Sequence, residues 1–201
     1  GTFGDVATFS FFADKTITCG EGGFIITNDE AIARELVFLR NQGRVNRGTF
    51  VHPEVGYNFR ITDIHAAMGN VQIDKIDWII GRKLEIYQTY QRYLGDHSRF
   101  NFFGPLHGSS FIPFRVCLVD KLAHAGEVME KLKENGVEPR TFFYPMHRQP
   151  CFSQIVKNAR YSKGDFRVSN KMFDSGICLP TFLQITDQQI EYICNIIKEN
   201  F

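Results

Sequence analysis

The first quarter of the chain alternates short apolar stretches with polar turns. Residues 6–12 and 23–27 are rich in aromatic and β-branched side chains, which is the composition of buried strands. Asn28 or Asp29 stands where a helix cap is expected, and apolar positions then recur at helical spacing until Gly43. The pattern predicts a strand, a turn, a second strand and a helix.

The longest helical pattern begins at Thr62 and continues to about residue 96. Its apolar positions keep a helical period, but a helix of that length is expected to bend or break, and it could link two domains. Residues 43–60, just before it, have no period and are rich in Gly, Asn and Arg. Such a loop inside a compact protein is more often functional than idle.

The pattern changes after the break at Gly104 and Pro105. The sequence predicts a small α/β unit with a strand, a helix closed by Gly136, a further strand and a last helix. The last helix has the strongest start signal, because Thr186 and Gln189 form a capping box. These predicted elements lie at 110–119, 125–135, from 137 onward, and after 186.

Composition narrows the class of protein. The 201 residues are 43% hydrophobic and carry a formal net charge of +1, without the clustered basic face that nucleic-acid partners require. No apolar run approaches the ~20 residues of a membrane-spanning helix, and no signal-peptide pattern is present. We therefore expect a cytoplasmic protein with no nucleic-acid or membrane partner.

The cysteines and histidines give no metal-binding pattern. The five cysteines are an odd number, are widely spaced and include no C-x-x-C pair, and the six histidines form no H-x-x-x-H arrangement. This pattern favours reduced thiols over a disulfide framework, and it predicts no metal site. The cysteines are Cys19, Cys117, Cys151, Cys178 and Cys194.

One lysine raises a question about chemistry. In "SFFADKTITCGEGGFIIT", residues 10–27, Lys15 follows an apolar segment and precedes a glycine-rich turn. Taken alone, Lys15 reads as an ordinary solvated side chain. The glycines of the turn read as backbone requirements of the connection between the two strands.

Three segments taken in order change this interpretation. "FSFFADKTITCGEGG", "GYNFRITDIHAA" at 56–67 and "FFYPMH" at 142–147 resemble the DegT/DnrJ/EryC1/StrS family of sugar aminotransferases. The resemblance covers essentially the whole chain. It implies an α/β enzyme of the PLP-dependent transferase fold type I, where PLP is pyridoxal 5'-phosphate. It also implies the end of the large PLP-binding domain at 1–75, a linking helix and connection at 76–104, and the small C-terminal α/β domain at 105–201.

The resemblance assigns the cofactor contacts residue by residue. It implies that Lys15 forms the Schiff base with PLP and moves a proton during catalysis. It implies that Ser10 donates to the PLP phosphate, although a strand-end serine satisfied within its own chain is the alternative. It also implies that Asn58, in "GYNFR", reaches the phosphate of the neighbouring subunit's cofactor, so that a homodimer shares its active sites.

The resemblance also gives the expected substrate side. Arg140, Tyr144 and His147, in "EPRTFFYPMH", match a region that faces the nucleotide sugar, where an arginine suits a diphosphate and a histidine a hydroxyl or phosphate. A buried tyrosine and a solvated arginine are the alternatives. The expected reaction moves an amino group from glutamate to a nucleotide-linked 4-keto-6-deoxy sugar. Within the family the segments look closest to enzymes converting GDP-4-keto-6-deoxymannose to GDP-perosamine.

Two rival interpretations stay open at this stage. The family's pyridinium-pairing acid, its PLP-stacking ring and its phosphate turn lie upstream of the stretch that Gly1 matches. The chain is therefore expected to be the C-terminal portion of a longer enzyme, and a non-catalytic fragment lacking half of the cofactor site is one alternative. A PLP-dependent sugar dehydratase of the same family is the other, although such relatives commonly replace the lysine that Lys15 matches with histidine.

Overall fold

The structure is a computed structural model that describes residues 1–46, 48, 50–105, 110–154 and 166–201. The chain divides into two compact units, Gly1–Ile79 and Ile80–Phe201. The boundary falls inside the stretch 76–104, to which the family resemblance assigns the link between domains. The three-part domain assignment itself stays a prediction.

The first unit contains a strand pair and two helices. Strands β1 (Ala7–Ser10) and β2 (Gly23–Ile26) are antiparallel, with Ser10 opposite Gly23. Helices α1 (Glu30–Arg40) and α2 (Asp63–Ile73) follow. The side chain of Asp29 accepts the backbone N–H of Ala31 and Ile32, and the side chain of Thr62 accepts that of His65. Both predicted helix starts are confirmed.

The long helical pattern breaks as predicted. Helix α2 ends at Ile73, and α3 (Ile76–Leu94) begins three residues later. Asp74 and Lys75 between them donate their backbone N–H to carbonyls of α2, at Asn70 and Gln72. Two carbonyls of the last turn of α2 are therefore satisfied by the connection to α3.

The second unit is built on a four-stranded antiparallel sheet. Its order is β3-β4-β6-β5, so β6 lies between β4 and the edge strand β5. The strands are β3 (Phe100–Phe102), β4 (Val116–Asp120), β5 (Arg140–Thr141) and β6 (Gly176–Leu179). The further helices are α4 (Ala125–Glu134), α5 (Arg167–Ser175) and α6 (Asp187–Asn200), with 3₁₀ turns at Met146–Arg148 and Pro150–Phe152.

One face of this sheet carries the core of the second unit. Val116 and Leu118 of β4 lie opposite Leu179 and Ile177 of β6, and all four are buried. The apolar stripe of α6 completes the cluster, as its spacing predicts; Ile190, Ile193, Cys194 and Ile197 are all buried, as is their neighbour Ile196. No helix among the described residues combines the length and apolar character needed to cross a membrane.

The predicted strand at 110–119 is shorter in the structure. Residues 110–115 form no strand, and pairing with β6 begins at Val116. Pro113 lies in this segment and has no backbone N–H to donate to a ladder. The helix predicted at 125–135 is confirmed, and Gly136 after it has φ 74°, the left-handed conformation that ends helices.

Candidate active site

Lys15 lies in a tight turn after β1 and outside the strand. The backbone N–H of Lys15 donates to the carbonyl of Phe12 at 3.0 Å, which closes a four-residue turn. Phe12 in turn forms a parallel bridge with Gly20. The turn is therefore closed by one backbone hydrogen bond and tied to Gly20 at its first residue, and the side chain of Lys15 is half-buried.

Ser10 is the last residue of β1, five positions before the lysine. Its Oγ accepts the backbone N–H of Phe12 at 3.2 Å, so the serine shapes the start of the same turn. Because this contact uses a lone pair of Oγ, the hydroxyl hydrogen can still donate to an anion. The strand-end role and the phosphate role are thus compatible in one side chain.

The glycine-rich turn after Lys15 has backbone constraints that exclude side chains. Gly22 has φ 141°, and a Cβ on it would stand 3.1 Å from Ile61 Cδ1 and 3.2 Å from Cys19 Sγ. A Cβ on Gly23 would stand 2.4 Å from the carbonyl oxygen of Phe9. The glycines are therefore explained by the structure: without a Cβ, they let β2 approach β1 closely.

Asn58 is positioned by the end of α1. The backbone N–H groups of Tyr57 and Phe59 donate to the carbonyls of Leu39 and Arg40, at 2.7 and 3.2 Å. These carbonyls are among the last of the helix, which have no partner inside it. The segment containing Asn58 is therefore fixed in the backbone, while the Asn58 side chain is exposed.

Arg60 orients the amide of Asn58. Arg60 Nε donates to Asn58 Oδ1 at 3.2 Å, and Arg60 Nη1 donates to Asn41 Oδ1 at 3.3 Å. With its oxygen engaged, the Asn58 amide presents its Nδ2 hydrogens, which are donors. Donors beside a guanidinium suit an anionic group such as a phosphate.

An open groove runs across the first unit and includes Asn58. It encloses about 1320 Å³ and is lined by the aromatic rings of the strand pair and by the segment 57–62. His65 also lines the groove, whereas Ser10 and Lys15 do not. The three predicted cofactor contacts all belong to the first unit, but only Asn58 faces this groove.

The predicted substrate contacts all belong to the second unit. Arg140 begins the edge strand β5, and its Nη2 lies 3.6 Å from Glu138 Oε1 in an exposed ion pair. Tyr144 packs edge-on against Phe173 at 5.2 Å, and the guanidinium of Arg148 lies over the Tyr144 ring at 5.0 Å. Tyr144 keeps 40% of its surface exposed, so its ring is anchored without being enclosed.

His147 has a defined orientation. Its ring stacks on Phe166 with centroids 4.1 Å apart, and its Nε2 lies 3.0 Å from Asn170 Oδ1. An amide oxygen can only accept, so this contact assigns the hydrogen of the neutral ring to Nε2. The Nδ1 atom is then an acceptor, which suits a sugar hydroxyl.

The supporting residues were not identified from sequence. Arg60 lies two residues after Asn58, inside the motif "GYNFR", so its position gave a signal, but Asn170 and Phe173 lie more than twenty residues from the groups they contact. The interval from His147 to Asn170 includes residues 155–165, which are outside the described part of the chain. Among the described residues, no group of three or more His, Cys, Asp or Glu side chains is arranged to hold a metal ion.

The donor set of the first unit fits a phosphorylated aldehyde cofactor. Lys15 supplies an amine, Ser10 a hydroxyl hydrogen, and Asn58 an amide donor beside a guanidinium. An amine can condense with an aldehyde, and the other two groups are donors of the kind that bind phosphate oxygens. The residues present are therefore consistent with PLP.

Comparison with known proteins agrees with this chemistry. The model of the DegT/DnrJ/EryC1/StrS aminotransferase family matches residues 1–198. A GDP-perosamine synthase of Vibrio cholerae is 37% identical over 206 residues, which covers 100% of this chain and 54% of the relative. The chain thus spans about half the length of this curated relative.

Solved structures share the fold at lower identity. Helicobacter pylori PseC, an aminotransferase involved in the biosynthesis of pseudoaminic acid, superposes with a TM-score of 0.87 at 22% identity, over 99% of this chain and 54% of PseC. A Streptococcus pneumoniae chain described as a sugar aminotransferase, Spr1654, in its PLP-form, gives 0.83 at 20% identity over 99% of this chain and 52% of its own. PLP is the cofactor of such enzymes, and their fold is the α/β fold type I. This chain belongs to the DegT/DnrJ/EryC1/StrS aminotransferase family.

Proposed function

We propose that the protein containing this chain is a PLP-dependent aminotransferase that uses glutamate to aminate a nucleotide-linked 4-keto-6-deoxy sugar. GDP-4-keto-6-deoxymannose is the proposed acceptor, and GDP-perosamine the product. The observation that carries the proposal is the 37% identity to a GDP-perosamine synthase across the whole of this chain. As in other transaminases, the bound cofactor would accept the amino group and stabilise the negative charge that develops on the substrate carbon.

The residues of the first unit would bind the cofactor and move one proton. The Nζ of Lys15 would hold the cofactor covalently at rest and then carry a proton between substrate and cofactor carbons. The hydroxyl of Ser10 and the Nδ2 of Asn58 would donate to phosphate oxygens and fix the cofactor in place. Arg60 would hold the Asn58 amide in its donating orientation.

The residues of the second unit would bind the nucleotide sugar. The exposed guanidinium of Arg140 suits a diphosphate, and the Nδ1 of His147 would accept a hydrogen bond from a sugar hydroxyl. Tyr144 offers an anchored ring that is partly exposed. We further propose a cytoplasmic homodimer in which Asn58 serves the partner's cofactor.

The test is an assay of the longest polypeptide that the gene encodes. The protein, PLP and glutamate are incubated with GDP-4-keto-6-deoxymannose or with the UDP- or dTDP-linked 4-keto-6-deoxyglucose. Mass spectrometry should detect an aminated GDP-sugar, with one 2-oxoglutarate formed for each amine. Amination of only the UDP- or dTDP-sugar would refute the proposed acceptor. The absence of any 2-oxoglutarate would refute the proposed amino transfer from glutamate.

A further inference from the structure

Two cysteines of the second unit face each other across the sheet. Cys117 on β4 is directly opposite Cys178 on β6, and their Sγ atoms are 3.7 Å apart. Opposite residues of an antiparallel pair have Cα atoms about 4.5–5.5 Å apart and point to the same face. Disulfides span Cα distances of about 4.4–6.8 Å, so residues in this register have the backbone spacing that a bond requires.

The pair lies on the face of the sheet that is turned away from the core. Val116 and Leu118, the neighbours of Cys117 in β4, face the buried cluster, so Cys117 projects to the other side. Cys117 is half-buried, whereas Cys178 is 7% exposed. Cys117 is therefore the more exposed member of the pair.

The surroundings of the two sulfur atoms activate one of them. The hydrogen bond from the Cys117 thiol and the nearby Arg115 guanidinium lower the pKa of Cys178. The same hydrogen bond, together with burial, raises the pKa of Cys117. The first proton is therefore lost at Cys178, and thiolates are the form that attacks disulfides.

We propose that Cys117 and Cys178 are a thiol modification site that forms a reversible intramolecular disulfide with low-molecular-weight disulfides as the oxidant. One protein sulfur attacks the reagent, displaces one thiol and forms a mixed disulfide. The second sulfur then attacks the mixed disulfide and displaces the other thiol. Overall, the two protein thiols lose two hydrogens, and one reagent disulfide becomes two thiols.

The disulfide would also change the edge of the sheet. Cys178 lies opposite Arg140 of β5, and as a neutral thiol it donates to the Thr141 carbonyl, 3.8 Å from its Sγ. Oxidation removes this hydrogen, so β5, which has only two residues, loses one of its contacts to β6. If the proposed function is correct, the affected strand is the one that presents Arg140 to the nucleotide sugar.

The disulfide itself is tested without any substrate. The purified full-length polypeptide is equilibrated with mixtures of oxidised and reduced glutathione, trapped by alkylation and digested. The expected result is a peptide pair linked through Cys117 and Cys178, which dithiothreitol converts back to two alkylated thiols. If instead both thiols remain alkylated in every mixture, or each carries glutathione, the proposal is overturned.

Variants identify which cysteines take part. Cys117→Ser and Cys178→Ser should each abolish the intramolecular disulfide, and the remaining thiol should carry glutathione where the reagent can reach it. The matched control is Cys151→Ser, which removes an exposed cysteine elsewhere and should leave the linked peptide unchanged. If Cys151→Ser removes the disulfide, the assignment of the pair is wrong.

Hydrogen exchange tests the effect on β5. The loss of a weak S–H···O contact should speed amide exchange in the peptide containing Arg140 and Thr141 about two- to fivefold in the oxidised protein. Exchange in α4 serves as the internal reference. A disulfide that forms without faster exchange in β5 would overturn the coupling to this strand. Because neither measurement involves amination, both results are independent of the outcome of the aminotransferase assay.

Discussion

Lys15 is placed so that its removal should affect chemistry and leave the fold intact. The hydrogen bond that closes its turn is made by the backbone N–H, which alanine also has, and the side chain is only half-buried. We expect Lys15→Ala to lower turnover roughly 10²–10⁴-fold or more, because no other amine would carry the proton. Steady-state kinetics measure the loss, and circular dichroism with thermal unfolding checks the fold. Lys75→Ala, which removes an exposed lysine of the same unit, is the control; near-native turnover of Lys15→Ala would refute the role of this amine.

His147 and Asn170 allow a test of the proposed substrate side. His147→Ala should slow the half-reaction with the nucleotide sugar about two- to tenfold, which corresponds to one hydrogen bond. Asn170→Ala should slow the same half-reaction by a smaller factor, since it removes only the contact that orients the His147 ring. Single-turnover measurements separate this half-reaction from the one with glutamate, and His124→Ala, on an exposed histidine of the same unit, is the control. Equal losses in both half-reactions would indicate a structural role.

At the scale of elements, one buried ion pair joins β3 and β4 at their ends. Arg99 donates from Nε and Nη2 to the two carboxylate oxygens of Asp120, each at 2.9 Å, and Asp120 is fully buried. Burial works to raise the pKa of Asp120, but the bonds from Arg99 and from the backbone N–H of Leu122 and His124 outweigh it and lower the pKa. The carboxylate is thus stabilised in the folded state by four donors.

This ion pair makes stability depend on acid pH. A lowered folded pKa means that the stabilisation is complete above the unfolded value of about 3.9 and is lost as pH falls through the folded value. We expect Asp120→Asn to lower the free energy of unfolding by about 3–5 kcal/mol at pH 7, because it leaves Arg99 half-buried without its partner charge. Urea titrations between pH 7 and pH 2 should also show that the free energy of unfolding falls less steeply with acid in this variant than in the parent. Glu134→Gln, which removes an exposed ion pair on α4, should change neither value, and an unchanged dependence on acid in Asp120→Asn would contradict the assignment.

The sequence could predict elements that depend on local contacts, but not those that depend on distant ones. The capping box of α6 involves residues three apart, and both of its hydrogen bonds are present, at 2.9 and 3.2 Å. By contrast, β6 has four residues and no period of its own, so it gives no pattern to detect, and its pairing with β4 joins residues 61 apart. Register across a sheet is set by packing of the whole face. For this reason Cys117 and Cys178 read as isolated thiols in the sequence and as a pair in the structure.

The candidate site divides in the same way. Lys15, Ser10 and Asn58 were identified because they lie in motifs that resemble a family, and that family is confirmed. Arg60, which orients Asn58, lies in the same motif, but the groups that hold Arg60 and His147 come from distant segments: Asn41 accepts from Arg60, and Asn170 contacts His147. No local pattern fixes an amide or imidazole orientation, since it depends on which groups the fold brings within about 3 Å.

At the scale of the whole molecule, the proposed sharing of sites between two chains can be tested by mixing variants. If Asn58 serves the partner's cofactor, each site takes Lys15 from one chain and Asn58 from the other, and a two-fold homodimer is the smallest active unit. A mixed dimer of Lys15→Ala and Asn58→Ala then has one site with both defects and one site with both residues intact. Random exchange of equal amounts makes about half of the dimers mixed, so activity should recover to about a quarter of the parent value.

The measurement requires that each variant be impaired alone. Loss of the Asn58 donor to phosphate should cost about 1.5–3 kcal/mol, which is roughly 10–150-fold in cofactor affinity, so the assay is run at limiting PLP. Exchange is confirmed independently with two affinity tags, by co-purification of the tagged chains. The control mixes Lys15→Ala with Ser10→Ala. The proposal takes Lys15 and Ser10 of each site from the same chain, so each site of this mixed dimer keeps one of the two defects, and activity should not exceed the mean of the two variants measured separately. Recovery in the first mixture, without recovery in this control, is the result expected if Asn58 comes from the chain that lacks Lys15. If confirmed exchange of Lys15→Ala and Asn58→Ala restores no activity, Asn58 acts within its own chain and the shared site is refuted.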